Sequence, residues 1–309
     1  MKSKLDEANA RLEERNIGAV TVLFGAKGGK YPDGNSLFVE GRQESLIIDP
    51  ALGMLARRDR LPRVDRVLNS HCHEDHIAGN HLFPNVPWHL HEADLPGIQS
   101  LDNMMEIYGF TPQVREVFER VVVDRFHYQP KPDAEPFRDG DVFDLGGARV
   151  RVIHSPGHTR GHSFFFVEPD EVLYLGDVDL SSFGPYYGDA WSDLEDFERT
   201  LKLAREIPAR HYATFHHIGV IDDREVFVER IDRFAAVIRS RESRLLEYLA
   251  QPHSLDEIAE HRFVYRAGDD IAYAAPVEAR SMGQHIERLI GAGQVSEVES
   301  GRYLAVASS

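Results

Sequence analysis

Between His71 and His76 the chain sets three imidazoles and a carboxylate, His71, His73, Asp75 and His76, directly behind the short apolar run VDRVLNS at 64–70. So many Lewis-basic side chains in so few residues weaken a fold unless they hold something, and imidazole with carboxylate is the donor set of a transition-metal centre. His71 and His73, one residue apart, project to the same side of an extended segment. Asp75 and His76 then turn toward a neighbouring point as the chain bends into a helix. One loop can therefore feed two adjacent metal ions.

Three further segments present donors in the same way. Ser155-Pro156-Gly157-His158-Thr159 follows the strand-like VRVI, and its Pro-Gly turn offers His158 at a strand end. Leu173-Tyr174-Leu175-Gly176-Asp177 ends an apolar run on a carboxylate, and Phe215-His216-His217-Ile218-Gly219 adds a late imidazole. Strand-end loops are where binding and catalytic groups concentrate.

In this order the pattern HxHxDH, PGHT, GD and a late His resembles the metallo-β-lactamase superfamily, especially its glyoxalase II-like hydrolases, over residues 17–238. The resemblance implies a first metal held by His71, His73 and His158, a second held by Asp75, His76 and His217, and Asp177 bridging the two. His217 is preferred to His216 because FHHIGVI matches the family's usual PGHGPVI, which leaves His216 as a pocket residue. Two divalent metal ions are expected. Zinc is the first choice for an imidazole-rich site, and iron or manganese also accepts such ligands.

A metal pair of this kind lowers the pKa of a water toward neutrality and polarises a carbonyl or phosphoryl oxygen. Asp75 is then a catalytic as well as a metal residue, since it can orient the attacking water. For the leaving-group proton, the loop Ser181–Gly188 supplies two phenols close behind Asp177, and Tyr187, with Tyr186 beside it, is the candidate. The expected reaction is hydrolysis of a small-molecule thioester, lactone or related carboxylic ester. The alternatives are endoribonuclease or phosphodiesterase action at the same metals, and a mono-iron persulfide-dioxygenase-like oxidoreductase, against which the full ligand set speaks. The flavo-diiron branch would place Glu where His73 stands.

Other polar residues have plainer expected roles. His154 and His162 flank the PGHT segment and suit hydrogen bonding around the ligands. His81, His89 and His91 have no assignable partner. Cys72 alternates away from its two ligand neighbours and should be a buried small hydrophobe, and Asp179 should serve its own loop.

The elements that position these residues read as α/β, and the resemblance implies a four-layer αββα metallo-β-lactamase sandwich, followed by a small C-terminal winged-helix-like domain. Strands are expected at 17–24, 35–48, 64–70 and 86–90, then in ARVRVIHS, SFFFVE and EVLYLGD, from β-branched and aromatic content between turn formers. A helical cap insertion is expected at about 92–135, and Ser192 with Glu195 suits a capping box opening the helix that follows. Phe227, Ile231, Phe234, Ile238, Leu245 and Leu249 mark one long helix or two in succession. The domain boundary is set at 239/240, with the catalytic domain over 1–239 and the winged-helix-like domain over 240–309.

That tail holds seven Arg, no Lys and eleven Asp or Glu. Its third helix offers Arg280 and Arg288 but also Glu278 and Glu287, so a packing or dimerisation module suits it better than a groove reader. A homodimer is the self-association it allows. The whole chain of 309 residues carries a formal charge of −16, which repels nucleic acid and anionic membrane surfaces at long range. One cysteine excludes an intramolecular disulfide, and the densely charged start has no apolar run, so a cytoplasmic protein is expected.

Overall fold

A computed structural model describes residues 13–269 and 271–306. The charged opening stretch behind the cytoplasmic expectation falls mostly outside them. Among the described residues, no helix is long and apolar enough to cross a membrane.

Two sheets form the centre. Strands β1 (Glu14–Ile17), β2 (Val20–Leu23), β3 (Ser36–Glu40), β4 (Ser45–Ile48), β5 (Arg66–Leu68), β6 (Trp88–His91) and β7 (Glu135–Phe137) follow one another in sequence order across the first sheet. Its β1–β4 half is antiparallel, while β4, β5, β6 and β7 run parallel. The second sheet has the order β13-β12-β11-β10-β9-β8, built from β8 (Val142–Asp144), β9 (Arg149–His154), β10 (Ser163–Glu168), β11 (Val172–Tyr174), β12 (His211–Ala213) and β13 (Val220–Ile221).

The two-residue periodicity of a strand decides which side chains meet. Leu46 and Ile48 join Val20, Val22, Leu37 and Val39 on the inner face, opposite Val150, Val152, Phe165 and Val167 of the second sheet. Ile47 points the other way, into a core shared with Met104, Ile107, Phe118 and Val122. Phe164 and Phe166 turn outward toward Leu201, Phe227, Ile231 and Phe234. Both sheets are thus buried on both faces, which explains the nearly continuous apolar runs of their strands.

The outer layers are helical. Between β6 and β7 lie α1 (Leu95–Gln99), α2 (Leu101–Tyr108) and α3 (Pro112–Asp124), the segment read as a cap, covering the first sheet. Helix α4 (Leu194–Glu206) and the long α5 (Arg224–Tyr248) cover the second. The α4 cap is Asp193, whose side chain accepts from Asp196 N. The expected Ser192 cap does not form because the Ser192 hydroxyl is spent on the His158 carbonyl at 2.7 Å.

Helix α5 is a single 25-residue helix, so the boundary expected at 239/240 lies inside it. After it come α6 (Leu255–His261), opened by a Ser254/Glu257 capping box, then α7 (Ala274–Gly291) and a hairpin of β15 (Val295–Glu299) and β16 (Arg302–Ala305). A short β14 (His253–Ser254) pairs with β16 to give three strands. Leu245, Leu249, Ile258, Phe263, Met282, Ile286 and Leu289 form a separate core for this region.

Candidate metal centre

Each donor stands where a strand of the sandwich ends. The loop after β5 brings His71, His73, Asp75 and His76; the turn after β9 brings His158; Asp177 follows β11; His216 follows β12. Two groups of donor atoms result, His71 with His73, His158 and Asp177, and Asp75 with His76 and His216, each lying within 4.8 Å. All seven side chains are buried or nearly so.

In the first group His158 Nε2 lies 3.2 Å from His71 Nε2 and 2.9 Å from His73 Nδ1, and those two are 3.0 Å apart. The Asp177 carboxylate joins the groups: Oδ2 is 3.0 Å from His158 Nε2, and Oδ1 is 3.0 Å from His76 Nε2. In the second group Asp75 Oδ2 sits 3.0 Å from His216 Nε2.

The outer ring nitrogens decide what these inner atoms are. His158 Nδ1 donates to the Tyr186 carbonyl at 2.9 Å and His216 Nδ1 to the Gly29 carbonyl at 2.8 Å. His76 Nδ1 donates to Asp49 Oδ2 at 2.8 Å. Ser70 gives its proton to Asp49, so His71 Nδ1 must donate to the Ser70 oxygen, 3.0 Å away. His73 turns Nε2 to Asp189 Oδ2 at 3.0 Å, and neither atom has another partner. With its outer nitrogen protonated, a neutral ring presents a lone pair inward. Lone pairs pressed against each other and against carboxylates repel unless cations sit among them, so the residues fit two divalent metal ions.

Without metal the charges show the same tension. Burial pushes His71 well below its ordinary pKa, and the neighbouring imidazoles push it further. Burial lowers His73, but Asp189, Glu74 and Asp177 together outweigh it and leave the ring at about 9. His216 rises to about 9 as well, Asp177 and Asp75 overcoming its burial. Burial opposes the charge of Asp177, yet His76, His216 and His158 hold its carboxyl well below the usual range.

Two expectations need correction. The residue beside Asp75 and His76 is His216, not His217. Lacking the Pro-Gly of the family pattern, the turn closes through Ile218 N to His216 O at 2.7 Å, with His217 in the left-handed region at φ 59°. That conformation turns the His217 side chain outward, where it is half-buried and 3.8 Å from Asp179 Oδ2. Tyr187 faces away from the donors: its hydroxyl pairs with His285 Nε2 at 2.9 Å and its ring carries the Arg241 guanidinium. Of the two loop phenols Tyr186 is the one beside the centre, its ring centroid 5.8 Å from that of His158.

Several residues around the ligands escaped the sequence. Asp49 accepts from Ser70 N, Ser70 Oγ, His76 Nδ1 and Tyr174 OH. Its signal was present, since LIIDP ends an apolar strand on a carboxylate as LYLGD does. Buried Asp94 ties the first ligand loop to the turn carrying His158, accepting from Cys72 N, Thr159 Oγ1 and Gly161 N. Glu74 accepts from the Tyr31 and Tyr108 hydroxyls. Cys72 is buried against Met104, and burial pushes its thiol up. His162 Nε2 accepts from Asp177 N, while His154 stacks on His91.

Gly157 lets the His158 turn lie against α4. It adopts φ +122°, and a Cβ there would stand 2.2 Å from Phe197 N. We expect Gly157→Ala to destabilise the chain by about 2 kcal/mol or more. A urea unfolding midpoint matching wild type would refute this.

Residues 31–216 match the family described as Metallo-beta-lactamase superfamily. Among curated proteins, an atrochrysone carboxyl ACP thioesterase from Aspergillus fumigatus is 28% identical over 199 residues, 61% of this chain and 51% of that protein. An uncharacterized protein from Mycobacterium leprae is 35% identical over 145 residues, 44% of this chain and 62% of that one. The chain thus spans about half to three-fifths of these relatives. Among solved structures, a metallo-beta-lactamase family protein from Thermus thermophilus superposes with a TM-score of 0.70 at 23% identity, covering 93% of this chain and 99% of that one. A beta-lactamase domain protein from Burkholderia ambifaria gives 0.68 at 19% identity, covering 96% and 94%. These likenesses carry the fold, and the family match spans well over half of the chain, so with its αββα layers and its paired donor groups this chain belongs to the metallo-β-lactamase superfamily.

Proposed function

We propose that the protein is a binuclear metal-dependent hydrolase acting on a carboxylic thioester or a related lactone or ester. The observation that carries this reading is the inward convergence of ring nitrogens whose outer nitrogens each face an oxygen at 2.8–3.0 Å, with Asp177 between the two groups. Bound divalent ions would supply Lewis-acid activation of water and of the substrate carbonyl. His71, His73, His158 and Asp177 would hold one ion, Asp75, His76 and His216 the other, with Asp177 shared. Zinc suits this mixture of nitrogen and oxygen donors.

Asp75 sits at the edge of the second group with one carboxylate oxygen on His216, and it orients the attacking water. A run of neighbouring phenols links one donor group to the other. Tyr31 stands beside His216 and reaches Tyr273; Tyr273 neighbours Tyr265, which meets Tyr186 beside His158. Such a wall binds flat or acyl groups through ring faces and orients a carbonyl through hydroxyls. Tyr186 replaces Tyr187 as the loop phenol beside the donors, its hydroxyl given to Asp189 Oδ1. The thioesterase name of the Aspergillus fumigatus relative makes an acyl thioester the first substrate to try.

The tail's order of helices and hairpin supports a winged-helix-like module. Its use as a groove reader is disfavoured, because Arg280 and Arg288 are turned onto the catalytic domain. A cytoplasmic protein with a small-molecule substrate is the setting this reading assumes. Purified protein assayed on acyl thioesters, lactones and single-stranded RNA should turn over the thioesters, lose that activity to a chelator and regain it with zinc. Cleavage of RNA alone would overturn the reading.

A further inference from the structure

We propose that the C-terminal region is a positioning element of the metal centre, gripping the segment 183–189 so that this segment holds two histidines of the first donor group. The inference rests on the ligand assignment above. From that segment, the Tyr186 carbonyl accepts from His158 Nδ1 at 2.9 Å, and the Asp189 carboxylate faces His73 Nε2 at 3.0 Å. Two of the three imidazoles that converge on the first metal position therefore take their ring orientation from four consecutive residues.

Those four residues have no strand or helix of their own. Their order comes from α7 and from the far end of α5. Gln284 Nε2 donates to the Tyr187 carbonyl at 2.9 Å, and His285 pairs with the Tyr187 hydroxyl. Arg280 reaches the Gly188 carbonyl, and a Cβ on Gly188 would stand 2.3 Å from Val277 Cγ1, so α7 lies hard against the segment. Buried Arg241 of α5 donates to the Pro185 and Phe183 carbonyls at 2.5 and 2.8 Å. The Tyr186 hydroxyl closes the unit on Asp189 Oδ1 at 3.1 Å.

The physical logic is that of a ligand whose outer nitrogen is held by a carboxylate or a carbonyl. That partner fixes tautomer and ring plane, and losing it weakens metal binding about 10–100-fold. Here the partner is itself held from a second core, so the tail's packing becomes a property of the metal site. Asp189 is a positioning residue acting through His73, and Gln284 and Tyr187 act through Asp189 and the Tyr186 carbonyl.

The test is a zinc titration of the metal-free full chain against a chromophoric chelator, read as two stepwise binding constants. Asp189→Ala should weaken one constant about 10–100-fold and leave the other within about twofold. Asp189→Asn, which keeps an acceptor, should lie between Asp189→Ala and wild type. Gln284→Ala and Tyr187→Phe should weaken the same constant several-fold, while Arg302→Ala, elsewhere in the tail, should match wild type. If Gln284→Ala fails to fold, Tyr187→Phe carries the test. Both variants keeping wild-type constants, even with lowered urea stability, would overturn the inference. A wild-type chain binding fewer than two zinc ions would instead overturn the ligand assignment.

Discussion

Asp177→Ala should reduce bound metal from the two equivalents the donors fit to at most one and lower the proposed thioester hydrolysis by at least about a hundredfold, more than the loss of a partner behind a ligand costs. The carboxylate is within 3.0 Å of an imidazole nitrogen of each group, so one substitution strips an oxygen donor from both. It also removes a negative charge from a pocket where His76, His216 and His158 hold that charge in its ionised form. Two dications would then be left closer to mutual repulsion, with Asp75 the only other carboxylate among the grouped donors. Elemental analysis and a rate on the same preparation check this. Two retained equivalents with an unchanged rate would remove Asp177 from the centre.

Asp49→Ala carries the largest stability effect. Asp49 is fully buried and takes four hydrogen bonds, from Ser70 N, Ser70 Oγ, His76 Nδ1 and Tyr174 OH. Alanine would leave those donors without an acceptor in the interior, costing about 3–5 kcal/mol, and would hold a Cβ-bearing residue without a compensating side chain at φ 46°. At this chain length that is a fall in Tm of about 5–8 °C. Asp49→Asn keeps an acceptor and tolerates the left-handed backbone, so it should lose less. Melting curves of the metal-free variants decide, and an alanine variant melting with wild type would show that water replaces the carboxylate.

The ligand loops were readable because each combines a strand signal with a donor that has no ordinary reason to end a strand. HCHEDH, PGH and LGD carry their chemistry in adjacent residues, and the sheets behind them are apolar on both faces, which leaves long β-branched runs. The choice between His216 and His217 was not local in the same sense. It depends on a turn closing one residue early and on the Gly29 carbonyl, 187 residues away in sequence, drawing His216 inward. Tyr187 misled for a similar reason. A phenol next to a ligand loop looks catalytic until His285 and Arg241 are seen to claim it. Acidic Glu278 counted in the sequence only against groove reading by the tail's third helix, yet it is buried and accepts from Phe263 N, Val264 N and Tyr265 N, holding the strip that carries Tyr265. Long-range pairing of polar groups leaves no periodicity in a sequence, and these are the features that stayed hidden.

The unbroken α5 sets a condition on how this architecture can change. A helix advances 1.5 Å and turns about 100° for each residue. An insertion or deletion of one residue between Ile238 and Leu245 would rotate everything beyond it by that angle and swing α7 off the surface it grips. Loops absorb such length changes freely, but a shared helix does not, so the two cores are locked in rotational phase. Exchanging the tail for a foreign module would require keeping the same helical register, and linkers of arbitrary length would not serve.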